Sequence, residues 1–405
     1  GPETQWREKD IYAWLRIDWH MPDNWQQHQV IGHFDFSLGR DRREFEALLF
    51  IDELPWSGLD QNHPWVVLPK ERAGSTVRMY CRIWSGILEG KIRQHFEAFH
   101  VGNAIHTVRF GWRDEACDDL YYTALSAWQS VMALDENSAD RAHLLHQTDL
   151  AFNIIDWRQP GDEAFYKSVH QAADQLRAAI LSSEKHHPVT VHAVGHTHID
   201  VAFLWQLKHT REKCARSFST VLRLMERYPQ YCFFQSQPQL YAWLKSDYPV
   251  LYNQIRERIA EGRWEIDGAM WLEADCNIPS GESLVRQVLY GRRFMQQEFG
   301  ITPRCLWLPD VFGYSWALPQ ILKKSGISYF MTTKISWNEF NQLPHDTFTW
   351  RGIDGSEVLA HFVTTPEEGY PRYTYNGIVN AESVQGLWNN YRDKTLNQTL
   401  MLPYG

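Results

Sequence analysis

The sequence predicts a mixed α/β protein: a β-rich opening part, then a helical connector, then a parallel sheet or barrel. Three observations predict it. Residues 3–110 alternate apolar and polar side chains, residues 111–187 switch to a helical period, and from residue 188 short β-branched strands alternate with helices.

In the opening part Val77, Met79, Cys81 and Ile83 alternate with Arg78, Tyr80, Arg82 and Trp84, the period of a half-buried strand. Phe34, Phe36 and Leu38 alternate likewise, and Phe45 to Ile51 is a further strand. Leu38-Gly39, Ser57-Gly58 and Ala73-Gly74 mark turns between them. A small β-sandwich-like domain is expected, and no catalytic constellation falls within it. In the connector Leu120, Ala124, Trp128 and Met132 form one stripe, and Leu144, Leu145, Thr148, Phe152 and Ile155 a second. Pro160-Gly161 ends that helix, Glu163 to Ser183 gives a third, and Lys185-His186-His187-Pro188 closes the segment.

The stretch that organises the rest is Val189 to Trp205, VTVHAVGHTHIDVAFLW. Val189, Val191 and Val194 read as a buried parallel strand, which breaks at Gly195 into His196, Thr197, His198, Ile199 and Asp200. Alternation puts His196, His198 and Asp200 on one side, where imidazoles and a carboxylate suit zinc or a similar divalent cation. A hydrogen-bonded core histidine beside a helix-capping Asp is the other reading. Further strands are expected over Tyr231–Gln235, Trp264–Met270, Cys305–Leu308 and Tyr329–Thr333. Helices are expected over Lys213–Tyr228, Leu251–Ala260, Ser280–Phe299 and Leu318–Lys324, and a hairpin at Asp354-Gly355. Successive strands end in His198/Asp200, Gln235, Asp275, Asp310 and Lys334, which a shared active-site face explains economically. Asp275 and Asp310 each read equally well as turn-forming residues when taken singly. Paired carboxylates with a cation suit hydrolysis, particularly of a glycosidic bond.

Composition narrows the function classes. A net charge of −9 argues against nucleic-acid and anionic-membrane partners. No apolar run is long enough to span a membrane, and the first twenty residues hold no signal-peptide core. Gly1-Pro2 is read as a tag-cleavage scar. Six cysteines without a CxxC pair read as reduced thiols, hence a cytoplasmic protein. The 19 Trp, 18 Tyr and 20 Phe are compatible with sugar stacking, although most should pack the core.

The chain resembles the glycoside hydrolase family 38 α-mannosidases, particularly their cytosolic and bacterial branch. The resemblance rests on GHTHIDVAFLW (195–205), KCARSFSTVLRLME (213–226), WLEADCNIPSGESLVRQ (271–287), WLPDVFGYSWALPQIL (307–322) and TKISWNEFNQLPHDTFTWRGIDGSEVLAHF (333–362). PWSGLDQNH (55–63) is similar to a segment of the same branch. It implies a (β/α)7-barrel-like catalytic domain over 188–405. It also implies a retaining exo-acting α-mannosidase working through a covalent mannosyl-enzyme on an α-mannoside or mannose-containing glycan. By the family motif His198, Asp200 and Asp275 are zinc ligands, with cobalt or manganese as alternatives, and His196 supports them. Zinc is expected to grip the 2- and 3-hydroxyls of the sugar. Asp275 doubles as nucleophile and Asp310 is the acid/base, with Glu367 or Glu368 as alternatives. Phe203, where relatives carry Trp, and Trp337 are expected against the sugar. The chain stops at Tyr404-Gly405, before the family's remaining zinc-ligating His, so it reads as a truncated portion of a longer enzyme. Self-association into a homo-oligomer is compatible with the sequence. A metal-dependent amidohydrolase or deacetylase, which needs further histidines at later strand ends, is the runner-up. A non-catalytic mannose-binding module is the third reading.

Overall fold

A computed structural model describes residues 4–38, 45–87, 102–184 and 187–405. The turn expected at Gly39 and the connector's Lys185-His186 lie outside the described residues. The helices run in chain order as α1 (Glu115–Ala133), α2 (Ala139–Ile154), α3 (Glu163–Ser182), α4 (Leu207–Arg227) and α5 (Pro238–Asp247). They continue as α6 (Pro249–Ala260), α7 (Gly281–Phe299), α8 (Leu318–Lys324) and α9 (Ala381–Asn390). The chain divides into two compact units.

The first unit comprises the chain up to Asp118 together with Ile199–Gln230 and Trp243–Ile255. Its strands are β1 (Gln5–Trp6), β2 (Tyr12–His20), β3 (Gln29–Asp35), β4 (Glu46–Ile51) and β5 (Leu54–Asp60). They are followed by β6 (Trp65–Val67), β7 (Thr76–Trp84), β8 (Asn103–Ala104) and β9 (Thr107–Arg113). A four-stranded antiparallel sheet has the order β2-β7-β4-β5, a three-stranded one β6-β3-β9, and β1 pairs with β8. Val77, Met79, Cys81 and Ile83, the residues whose alternation predicts β7, are all fully buried. They join Phe34, Val66, Leu49 and Leu59 in one core fed by both larger sheets. Helix α4 packs on β4 and β5 in this unit. Gly58 permits that approach, because a Cβ there would lie 2.8 Å from the Arg216 carbonyl oxygen.

The second unit comprises Asp119–His198, Tyr231–Ala242 and Arg256–Gly405. Its strands are β10 (Thr190–His196), β11 (Phe233–Phe234), β12 (Trp264–Glu265) and β13 (Cys305–Leu308). Then come β14 (Tyr329–Thr332), β15 (Thr347–Arg351), β16 (Glu357–Phe362) and β17 (Thr399–Tyr404). One sheet, β12-β11-β10-β17, is parallel throughout; the other, β13-β14-β16-β15, is parallel except for its β15–β16 hairpin. A parallel bridge between Gly268 and Leu306 links the end of β12 to β13. This is the mixed α/β architecture with parallel sheets that the strand–helix alternation predicts.

Several elements differ from their sequence reading. Strand β12 is only two residues long, because Gly268 and Ala269 adopt φ of 109° and 61° and turn the chain out of the sheet. Gly268 is needed there: a Cβ would come within 2.5 Å of the Ser236 Cβ. Helix α5 was not anticipated; Pro249 separates it from α6, which the sequence does suggest. Helix α1 buries Leu120, Ala124, Ala127 and Val131, whereas Trp128 and Met132 are exposed. A strict spacing of four drifts by about 40° per step around a 3.6-residue helix, so the expected stripe leaves the core. In α2 Leu145 and Phe152 are exposed while Ala151 is buried. Helix α7 follows its signals: the Ser280 hydroxyl accepts from the Ser283 N–H, and Gly300 ends it at φ 71°.

On β16, His361 Nδ1 lies 2.9 Å from Thr347 Oγ1 of its hairpin partner. Burial pushes its imidazole down to about 4, against the opposing pull of Asp393. The imidazole is therefore neutral in the fold above about pH 4 but protonates near 6.5 once unfolded. Its contribution is complete above pH 6.5 and is lost as the pH falls toward 4, by up to about 3 kcal/mol. His361→Gln is expected to narrow the gap in urea stability between pH 7 and pH 4.5; an unchanged gap would show that this side chain titrates normally.

Candidate metal and carboxylate site

The site is built from the segments that follow parallel strands of the second unit. Strand β10 delivers His196 into the interior, where Nδ1 lies 3.0 Å from the Phe234 carbonyl oxygen and Nε2 accepts from Trp307 Nε1 at 3.3 Å. Burial holds the imidazole down to about 4, so it stays neutral at physiological pH. Two residues on, the His198 side chain is 7% exposed and its Nδ1 lies 3.0 Å from Glu273 Oε2. The Tyr375 ring packs edge-on to His198, with centroids 5.0 Å apart. Glu273 is held from its other oxygen by the Ser236 hydroxyl at 2.8 Å. Buried Gln235, at the end of β11, donates to the Thr197 carbonyl at 2.8 Å and so fixes the backbone between the two histidines.

His196, His198 and Glu273 each offer a ligand atom within 4.8 Å of the others, and His198 and Asp310 meet the same limit. Asp200 follows His198 by two residues along the chain. Asp310, in the loop after β13, pairs with Lys334, which follows β14. Glu273 Oε2 and Asp310 Oδ1 are buried, the first beside the His198 imidazole and the second paired with the Lys334 ammonium. Neutral imidazole and buried carboxylate are the donors that zinc or a similar divalent cation takes, so the residues present fit such an ion.

Asp275 lies in the loop after β12, exposed, with Oδ1 accepting the backbone N–H groups of Asn277 and Ile278 at 2.8 Å each. It is in neither ligand group; Glu273 takes the carboxylate position beside His198. Its loop is tied to the Asp310 loop by a Cys276–Tyr314 bridge, and the Tyr314 hydroxyl donates to the Val311 carbonyl at 3.0 Å. Trp337, expected against the sugar, lies among cationic side chains. Lys334 Nζ and Arg372 Cζ each lie 3.6 Å from its ring centroid, so cations occupy the ring. Glu367 is engaged too, in a 2.7 Å ion pair with Arg372. Phe203 belongs to the first unit and is exposed, edge-on to Trp205 at 5.7 Å.

Glu273, Ser236 and Tyr375 are the residues that sequence reasoning did not place in the site. Glu273 could have been found from its spacing of two from Asp275; nothing local marks Tyr375. The three later histidines that an amidohydrolase-type site would recruit are engaged elsewhere. His209 Nε2 lies 2.6 Å from Asp10, His345 pairs with Asp393, and His361 faces Thr347. Among the described residues none of them joins a ligand group.

Parallel strands whose following segments converge on buried imidazole and carboxylate define an α/β protein with a candidate cation site. Residues 188–405 match the glycosyl hydrolases family 38 N-terminal domain, more than half of the chain, and the chain belongs to that family. It is 47% identical over 215 residues to alpha-mannosidase G of Dictyostelium discoideum, covering 53% of this chain and 19% of that protein. It is 45% identical over 250 residues to human alpha-mannosidase 2C1, covering 62% of this chain and 23% of that protein. Against the alpha-mannosidase of Saccharomyces cerevisiae the identity is 46% over 172 residues, 42% of this chain and 16% of that protein. The matched region thus spans less than a quarter of each of these relatives. Among the described residues no helix is long and apolar enough to cross a membrane.

Proposed function

We propose that this chain carries the nucleophile, the acid/base and most of the metal ligands of a retaining, exo-acting α-mannosidase that removes terminal α-D-mannosyl residues. The observation that supports the reading is the His198–Glu273 pair beside Asp310, placed by a chain that belongs to family 38. The proposed organisation is a β-sandwich-like domain over 3–110, a connector over 111–187 and a (β/α)7-barrel-like catalytic domain over 188–405. A cytoplasmic location accords with six free cysteines.

His198, Asp200 and Asp275 would hold the cation, zinc by donor type, with cobalt or manganese as alternatives. The bound cation supplies an electrostatic grip on the 2- and 3-hydroxyls of the mannose ring. Glu273 fixes the His198 tautomer, and His196 braces the strand end behind it. Asp275 attacks the anomeric carbon while the bond from that carbon to the leaving oxygen breaks, and Asp310 gives that oxygen its proton. Water then adds to the same carbon, its proton passing to Asp310, and the Asp275 ester bond breaks with retention. Lys334, seated on Trp337, holds the Asp310 carboxylate in place; Phe203 remains the proposed sugar contact.

The test is hydrolysis of an aryl α-mannoside by the full-length protein containing this chain, with chelator and after zinc is restored. Loss followed by recovery is expected, and Asp275→Ala should then lower turnover by about 10⁴-fold. A metal-loaded protein that does not hydrolyse the mannoside would sink the reading.

A further inference from the structure

Strand β2 alternates so that Tyr12 and Trp14 share one face, in register with Trp84 and Arg82 of β7. Trp14 is 58% exposed there. The Arg82 guanidinium lies 5.7 Å from the Trp14 and Phe50 ring centroids and 5.9 Å from that of Tyr12. Arg82 Nη2 donates to the Tyr248 hydroxyl at 2.6 Å, and Nε donates to Glu212 at 3.0 Å. Tyr12, Arg82, Glu212 and Tyr248, with Lys208, Arg211 and Asp247, line a cleft of about 670 Å³ lying wholly in the first unit, and Trp14 stands beside it, across from Arg82.

The wall of this cleft is rich in charge, yet the charges are paired. Arg82 meets Glu212, Arg211 meets Asp247, and Lys208 Nζ donates to Asp10 at 2.6 Å. An anion would have to separate one of these pairs, at the cost of a stranded carboxylate. A neutral polyol need not: guanidinium N–H groups, carboxylate lone pairs and tyrosine hydroxyls all keep hydrogen-bonding capacity after pairing. Convergent planar polar groups beside an exposed indole suit a ring with an apolar face and hydroxyls at its rim. We infer that this cleft binds an uncharged oligosaccharide, with Trp14 as the stacking platform and Tyr12, Arg82 and Lys208 as hydrogen-bonding partners. The inference stands on the first unit alone and does not depend on the mannosidase reading.

The experiment is isothermal titration of the full chain, in a chelator-containing buffer, with α-linked mannotriose, with maltotriose and with inorganic phosphate. Binding of at least one trisaccharide is expected. Trp14→Ala should weaken it by about tenfold and Tyr12→Phe, which preserves the fold, by about threefold. His198→Ala should leave it unchanged. Trp14→Ala should also keep whatever aryl-mannoside turnover the parent shows, which separates this cleft from the carboxylate site. No trisaccharide binding, binding lost with His198→Ala but not with Trp14→Ala, or binding of phosphate alone would each overturn the inference.

Discussion

Replacing His198 with alanine is expected to abolish zinc retention and turnover together while leaving the protein folded. The imidazole is the shared member of both groupings in this region, close to Glu273 and His196 on one side and to Asp310 on the other. Its removal deletes a ligand and also leaves the buried Glu273 Oε2 facing a cavity, so cation affinity should fall by 100-fold or more. Glu273→Gln is the informative companion. It keeps the shape and the bond from Ser236 but removes the charge that orients the imidazole, and a loss of about 10- to 100-fold in zinc affinity is expected. Competition against a chromophoric chelator measures both. Full zinc retention by folded His198→Ala would remove this residue from the ligand set.

The second large effect is expected far from any titrating group, at Gly291 in α7. A Cβ on Gly291 would lie 2.2 Å from the Ala269 carbonyl oxygen, 2.6 Å from the Met270 carbonyl carbon and 2.8 Å from the Trp271 nitrogen. All three are backbone atoms, so no rotamer change relieves the clash. The same helix holds that loop by hydrogen bonds from Trp271 N to the Gln287 carbonyl at 2.9 Å and from Leu272 N to Gln287 Oε1 at 3.1 Å. Gly291→Ala must therefore lift α7 from the segment leading to Glu273 and Asp275, at a cost of about 3 kcal/mol. Gly281 is the control: nothing lies within 4 Å of its added Cβ, so Gly281→Ala should be neutral or slightly stabilising. Chemical denaturation of the pair checks the claim, and equal midpoints would refute the close approach.

What the sequence made legible follows from where its signals are local. The Ser280 cap and the Gly300 stop of α7 are each written within a few residues and appear as expected, and the valine run of β10 forms its parallel strand with Val191 and Val194 half-buried rather than buried. The convergence of His198, Asp310 and Lys334 was legible because each follows a strand. Strand β12 was read too long because its end is set by the Ser236 backbone and side chain packed against Gly268, a tertiary demand with no local signature. The cations around Trp337 were not legible for a related reason. An aromatic residue after a strand looks like a platform, and only the fold brings Arg372 onto its ring. Strand β17 was missed because its pairing with β10 joins segments roughly two hundred residues apart.

That last pairing bears on how the protein is made. During synthesis β10 can find β11 early, but its other edge, from Thr190 to Gly195, stays open until Thr399–Tyr404 has left the ribosome. Over that interval the nascent chain displays an unpaired strand edge competent to capture a neighbouring chain. The strand that leads to the imidazoles is thus completed late, by a contact of high sequence separation, and this unit is expected to fold slowly and to benefit from chaperones.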